Sequence, residues 1–490
     1  MSSPVFHNII SFIKINKNDS TALYLQIVHG IINAILTKQI SIGDKLPGTR
    51  ILSEKLFVHR KTVIHAYNEL YAQGWINIIP QKGTFVSRNK ISKKTKQVLI
   101  NTGSENQIQS TKNYILENPF ERLDKAYYFT DGTADYRLSP LKSINQILSS
   151  ISVKKIHINY LNQDFYNGNN NLKNQILNYL RITKGFSAKN SQIMTTSNKE
   201  INYQVVIDSL FNSNDIVVIS KLSDFRINMR LSQQNIKIKF INDFSNDNCI
   251  EELESILKIQ KVKALYVQSN NLYPTTHIMS LHTKEHLLAL AEKYNFYIIE
   301  DDNNSEINYT KTTQPTLKDL DKNNHVIYIN SFDHILPAPF NISYTIATDS
   351  LIEELIKNNN LYQSHSTFLI DQTVAEFIQE GNMIRHVQKN TITYLKRRDN
   401  FATLINEHLE NVAEFNLPTS GHAFWIKFNK HIPLLALSKI CATQNLNLPK
   451  HLLYQNAHVC ALRLGFAHMN EIEARNAISI LSKSIYTYLY

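Results

Sequence analysis

Arg60, Lys61 and Thr62 open a segment in which Val63, Tyr67 and Leu70 recur at helical spacing, so two cations and a hydroxyl stand at the start of an amphipathic helix. A guanidinium can pair bidentately with a guanine edge, whereas ammonium groups and backbone N–H groups chiefly engage phosphate. Lys82 and Gly83 form a second such place, in the turn between the two short β segments of WINIIPQKGTFV. The chemistry on offer is recognition of a polyanionic duplex. Metal chemistry is not expected: Cys249, Cys441 and Cys460 lie far apart with no CxxC spacing, which also excludes a disulfide framework and suits a reducing compartment.

These residues need elements to hold them. Tyr24, Ile27, Ile31 and Ile35 mark a first helix, which SIGDKLPGTR ends with Gly43, Pro47 and Gly48. A short helix from Thr49 to Leu56, a tight turn and a second helix from about Arg60 to Gln73 follow, with Gly74 in the stop position. Two helices joined in this way form a helix-turn-helix, and the first residues of the second helix reach into the major groove. Residues 21–87 are therefore expected to be a DNA-binding domain behind a tail of residues 1–20. RNKISKKTKQ, with five basic residues and no acid, begins a polar stretch over 88–125 that reads as an exposed linker or a solvated helix face.

From about residue 126 onward, DIVVIS, IKIKFI, ALYVQS, FYIIED, HVIYINSF and NISYTIAT read as buried strands alternating with helices such as TKEHLLALAEKYN. That alternation predicts a doubly wound, mostly parallel sheet. A long helical stretch from Ile370 to Leu409, then AFWIKF and ALRLGFA, predicts a smaller C-terminal α/β layer over about 370–490. The fold class is thus α/β behind a helical DNA-binding unit.

Bulk properties agree. The 490 residues exceed one typical domain, and 43% apolar with 10% aromatic residues suffices for ordinary cores. A net charge of +11 suits a polyanionic partner. No apolar run approaches the roughly 20 residues that span a bilayer, and MSSPVFHNII lacks a signal peptide's basic region and apolar core, so no membrane partner and a cytoplasmic location are expected. Glycine is scarce: of twelve, five fall in the first 83 residues and none lies between Gly185 and Gly381.

The segment from YLQIVHGI to KGTFVS resembles the winged-helix domain of GntR-superfamily regulators throughout its length. GDKLPGTR, the R-K-T-V opening of the third helix and the KGTFV wing are the specific parts. The resemblance implies that Arg50, Arg60, Thr62 and Gly83 contact DNA, with His59, Lys61 and Lys82 beside them. His59 departs from the family's Ser or Thr cap, an exchange expected to weaken the cap by about 1 kcal/mol. A winged helix used for protein contacts is the rival reading, and the basic recognition helix argues against it.

With the linker and the long α/β portion, nearly the whole chain resembles the MocR/PdxR subfamily, in which a fold-type-I aminotransferase domain senses pyridoxal 5′-phosphate (PLP) or an amine. IIEDDNNSEINY, LYPTTHIMSLHTKEHLLALA, FIQEGNMIRHVQKNTITYLKRRD and ALRLGFA carry that resemblance. PLP chemistry needs a Schiff-base lysine, an acid at the pyridinium nitrogen and donors around a dianionic phosphate. The family's S/T-F-S-K motif aligns with Ser331-Phe332-Asp333-His334, so His334 stands for the lysine and Asp333 for a phosphate-binding serine. Asn341 replaces the phosphate arginine, Asn303 replaces the tyrosine of the phenolic oxygen, and Asn198 replaces the glycine of a phosphate turn that here reads Thr196-Ser197-Asn198-Lys199-Glu200-Ile201. Lys199 offers a compensating charge, and Glu200 beside it would cancel much of that. His334, with no His/Cys/Asp cluster around it, is expected to be a packing residue.

Two features of the family's site remain. Asp301 is either the pyridine-nitrogen acid or a strand-end cap or ion pair, and Arg463 is either a holder of a ligand carboxylate or a structural salt bridge. The sequence therefore predicts a homodimeric regulator of double-stranded DNA with no cofactor, no catalytic residue and an aminotransferase-like pseudoenzyme half, open to an unknown small-molecule effector. A regulator that binds PLP or a PLP–amine adduct non-covalently is the alternative, and an active aminotransferase with a DNA-binding domain is the remote one.

Overall fold

The computed structural model describes residues 13, 15–17, 19, 21–87, 125–153, 167–185, 188–244, 248–302, 305–310, 314–362 and 367–489. The tail over 1–20 and the linker over 88–125 lie almost wholly outside them, as does Asn303. Contacts divide the chain into two units, Met1–Thr111 and Lys112–Tyr490.

In the first unit, helix α1 is Leu23–Leu36, α2 Thr49–Leu56 and α3 Arg60–Ala72, followed by strands β1 (Ile76–Ile79) and β2 (Gly83–Val86). Of the helical positions anticipated from spacing, Ile27, Ile31, Ile35, Val63, Tyr67 and Leu70 share one core with Leu52, Ile76 and Val86, and Tyr24 packs half-buried against it. β1 and β2 pair antiparallel, Ile79 opposite Gly83. The GDKL segment lies along β2, since Gly43 N donates to Val86 O (3.0 Å), Leu46 N to Thr84 O (2.8 Å) and Val86 N to Asp44 O (3.0 Å). The Tyr67 hydroxyl ties the following turn to α3 by donating to Pro47 O at 2.7 Å.

The second unit is built on a seven-stranded sheet. In chain order its opening elements are β3 (Tyr127–Tyr128), α4 (Leu141–Val153), α5 (Asn170–Thr183), β4 (Ile193–Thr196), α6 (Lys199–Leu210), β5 (Ile216–Ser220), α7 (Phe225–Gln233), β6 (Lys237–Ile241) and α8 (Asn248–Ile259). Then come β7 (Ala264–Val267), α9 (Leu281–Tyr294), β8 (Tyr297–Asp301), α10 (Leu317–Leu320), β9 (Val326–Ser331) and β10 (Ser343–Ile346). The large sheet has the order β4-β10-β9-β8-β7-β5-β6. β6, β5, β7, β8 and β9 are mutually parallel, and β10 runs antiparallel to both β9 and β4. All six runs anticipated as strands are strands. Five of them form the parallel part, where Val217, Val218, Ile219, Leu265, Ile298 and Ile327 are buried as the interior of a helix-covered sheet requires.

The C-terminal part holds α11 (Asp349–Tyr362), α12 (Phe368–Gln379), α13 (Asn382–Leu409), β11 (Ala413–Phe415), β12 (Ala423–Phe428), α14 (Leu434–Thr443), β13 (Leu446–Asn447), β14 (Leu453–Gln455), β15 (Cys460–Gly465) and α15 (Glu471–Leu489). The long stretch anticipated over Ile370–Leu409 is two helices, because Gly381 adopts φ +74° between them. Val374, Ala375, Phe377 and Ile378 of α12 pack with Ile144 and Tyr179 beside the large sheet, so the smaller layer begins within α13 and not near residue 370. Its sheet, β11-β12-β15-β14, is antiparallel, and β3 returns from the start of the unit to pair with β13. Among the described residues no helix is long and apolar enough to cross a membrane.

Candidate functional site

The first candidate face lies on α3 and the β1–β2 turn. Arg60 and Lys61 are exposed and Thr62 is half-buried at the start of α3, and Lys82 is exposed at the turn. His59 is the N-cap, and its Nδ1 accepts from Lys61 N at 3.2 Å, so the imidazole does what a Ser or Thr hydroxyl does elsewhere and the expected weakening of the cap is corrected. Gly83 has φ +120°, and a Cβ there would stand 2.7 Å from Lys45 Cε, so both backbone and space call for glycine. Arg50 is largely exposed and lies 3.4 Å from Glu54 on the next turn of α2, a surface pair that leaves it free to move. Phe57, between α2 and α3, is 84% exposed at φ +51°; sequence periodicity had not singled it out.

The second candidate site is a cavity of about 460 Å³ at the carboxyl ends of the parallel strands, where open α/β sheets place their crevices. β8 ends in Asp301, β9 runs into Asp333 and His334, β7 into Gln268, and Lys199 opens α6 directly after β4. Asp301 is 1% exposed. Its Oδ2 accepts from the hydroxyls of Tyr203 and Tyr266 (the latter at 2.6 Å) and from Gln268 Nε2 at 3.0 Å. Lys199 Nζ lies 3.7 Å from the same oxygen and 5.2 Å from the Tyr203 ring centre. Glu200, expected to offset Lys199, is exposed while Lys199 is buried, so the lysine's charge is spent on Asp301 instead.

Asn198 caps α6: its Oδ1 accepts from Ile201 N at 2.8 Å, taking one of the amides that a bare helix start would present to an anion. Ser331 Oγ donates to Asp333 Oδ1, and His334 Nε2 lies 3.6 Å from that oxygen. Burial opposes ionisation of Asp333, yet the adjacent His334, then Lys199, the Ser331 hydroxyl and Arg226, hold its carboxyl below the ordinary range. Burial pushes the His334 imidazole down, against the pull of the Asp333 carboxylate. Asn341 lines the cavity, and its buried Oδ1 has no hydrogen-bond partner among the described residues. Arg463, on β15, donates from Nε to Asp131 Oδ1 at 2.7 Å and from Nη1 to Pro274 O at 2.8 Å. No group of His, Cys, Asp and Glu among the described residues could hold a metal ion.

Against known proteins, residues 23–86 match the bacterial regulatory proteins of the gntR family, and residues 152–481 match aminotransferase class I and II. The chain is a gntR-type regulator of the MocR kind and belongs to the aminotransferase class I and II family. The regulator is 26% identical over 470 residues to the uncharacterized HTH-type transcriptional regulator YdfD of Bacillus subtilis, covering 94% of this chain and 95% of that one. It is 22% identical over 479 residues to the probable rhizopine catabolism regulatory protein MocR of Rhizobium meliloti, covering 95% and 94%. Among solved structures, an archaeal alanine:glyoxylate aminotransferase superposes with a TM-score of 0.68 at 20% identity, over 74% of the regulator and 91% of that chain. A kynurenine aminotransferase from Pyrococcus horikoshii gives 0.66 at 20% identity over 74% and 91%. These two likenesses establish the fold.

Asp333, His334, Asn341 and Arg463 therefore line one cavity of the regulator, Asp301 lies buried behind its wall against the lining residues Gln268 and Lys199, and Asn198 stands at the start of the helix that carries Lys199. Asn303 falls outside the described residues. Sequence reading missed Tyr203, Tyr266 and Gln268, which lie between 98 and 33 residues before Asp301 and declare themselves only when the strands align. It missed Arg226 and Asp131 for the same reason.

Proposed function

We propose that the regulator binds duplex DNA through Arg50, the start of α3 with its His59 cap, and the Lys82–Gly83 wing, and that its aminotransferase-like half performs no transamination. In this reading that half serves as a homodimerisation scaffold and as the seat of an effector, and the protein works in the cytoplasm as one domain of residues 21–87 and one of 126–490.

The observation that carries the loss of chemistry is the fate of Asp301. In a PLP site this carboxylate faces the pyridinium. Here its Oδ2 already holds three donors and faces the Lys199 ammonium, which supplies the positive charge internally. The other residues do not fit the cofactor either. His334 offers an imidazole where a lysine amine must react. The phosphate, close to doubly charged, would meet the Asp333 carboxylate, a repulsion of roughly 1–4 kcal/mol at about 4 Å depending on effective dielectric. Asn341 gives no charge to offset it, and Asn198 has already taken an α6 amide.

The test adds PLP to the parent and to the His334→Lys variant, follows absorption, reduces with borohydride and maps any adduct by mass spectrometry. Neither protein should carry a cofactor on residue 334, because restoring the amine leaves Lys199, Asp333 and Asn198 in place. A stoichiometric adduct in the variant would show a competent phosphate cup. A cofactor absorption band in the unreduced parent would favour non-covalent PLP sensing.

A further inference from the structure

Three groups converge on one carboxylate at the wall of the cavity. Asp131 Oδ1 accepts from Arg463 Nε at 2.7 Å, Asp131 Oδ2 accepts from the Tyr273 hydroxyl at 3.2 Å, and the Arg226 guanidinium lies 3.7 Å from Oδ2. Arg463 stacks on Tyr273 at 4.6 Å from the ring centre, and Tyr454 donates its hydroxyl to that of Tyr273 at 3.0 Å, so the receiving side is held from behind. A guanidinium and a phenol bonded to one carboxylate, with the Arg226 guanidinium nearby although itself paired with Asp224 at 2.7 Å, make an anion subsite by their chemistry. The Arg463 side chain is 3% exposed and that of Asp131 18%, so the carboxylate stands between the arginine and the cavity.

The segment that carries Asp131 is fixed by backbone. Gly465 N donates to Thr130 O at 2.8 Å, and Gly465 lies two residues beyond Arg463 on β15. A Cβ at Gly465 would stand 2.6 Å from Gly132 N, so the absence of a side chain is what lets the Asp131 segment lie flat against β15. On the other side, Asp135 pairs with Arg397 at 2.8 Å and with Arg137. Asp131 is thus clamped on both flanks and arrives with its ordering already complete.

We infer that Asp131 is a built-in carboxylate that fills the anion subsite of this cavity and closes it to free carboxylates, so that the cavity admits only small molecules without one. A tethered group competes at an effective concentration of about millimolar or more, and a rigid tether aligned with its partner gains further. A free amino acid or oxo acid would have to expel it from Arg463 and Tyr273. The inference goes beyond the loss of transamination and is separable from it, since nothing in it depends on PLP.

The test uses the full-length protein without cofactor. Acetate and formate are titrated against chloride at equal ionic strength, with binding read by calorimetry and by the melting temperature. The parent should show no acetate-specific effect. Asp131→Ala, with Arg463 unmatched, should melt lower than the parent, gain acetate binding by at least about tenfold over any residual effect in the parent and be restabilised by it. Asp131→Asn, which still fills the space, should not gain acetate binding, and adding Arg463→Met to Asp131→Ala should abolish the gain. An alanine variant indifferent to acetate overturns the inference. So does a parent that binds acetate or formate below millimolar, a measurement that needs no variant to fold.

Discussion

The imidazole of His59 and the glycine at 83 prepare a surface on which individual side chains do different work. Arg60 projects from the first turn of α3, where a major-groove helix meets base edges, and Lys82 from the wing, where a point charge meets phosphate. Arg60→Ala should therefore cost about 1–3 kcal/mol at a cognate operator and relax discrimination at one base position. Lys82→Ala should weaken cognate and random DNA alike and lower the slope of log affinity against log salt by about one unit. Mobility-shift titrations at several salt concentrations separate the two patterns. An Arg50/Arg60 double-alanine variant that still shifts operator DNA as the parent does would remove α3 from the groove. His59 teaches a related lesson, since residue-type preference foresaw a weaker cap while the Nδ1 acceptor supplies one.

At the scale of elements, what was legible depended on whether a pattern is local. The parallel strands β5, β7, β8 and β9 announce themselves as short apolar runs because both of their faces are buried. β4, with only Ile193-Met194-Thr195-Thr196 at the edge of the sheet, has no such signature. The candidate cavity was half legible: Asp333, His334 and Asn341 follow one strand, but Asp131 meets Arg463 across 332 residues, and no spacing rule reaches that far. The same strand ends create a pH dependence. His422, 1% exposed just before β12, packs edge-on against Tyr394 at 4.7 Å, and burial, followed by the neighbouring His334, pushes its imidazole down to about 3. In the unfolded chain it titrates near about 6.5. Between those values the unfolded chain binds the proton and the native state does not, so stability falls as pH drops through that window. At pH 5 the expected loss from this residue is about 2 kcal/mol. Urea unfolding of the second unit at pH 7.5 and 5 should show a difference in the parent that shrinks by about that amount in His422→Phe. An identical difference in both proteins would assign the acid sensitivity to other groups.

On the scale of the whole molecule, a winged helix presents one short recognition surface, and one such surface reads too few base pairs to discriminate well in a genome. The second unit offers a remedy that requires no new chemistry. Its aminotransferase-like body is large, lacks a lysine at residue 334, and is joined through the stretch over 88–125 to the DNA-binding unit. If two such bodies pair, two winged helices are delivered to one DNA duplex, and a closed twofold assembly is the commonest way for identical chains to associate. The regulator is accordingly expected to be a homodimer, with a light-scattering mass near twice its 56.6 kDa, and its operator to contain two copies of one short element. Shortening a cognate DNA to a single element should lower affinity steeply, because the second winged helix then loses the gain from being tethered to the first. A monomeric mass at micromolar concentration, together with equal affinity for one element and two, would leave the second unit without a part in DNA recognition and confine it to the binding of an effector.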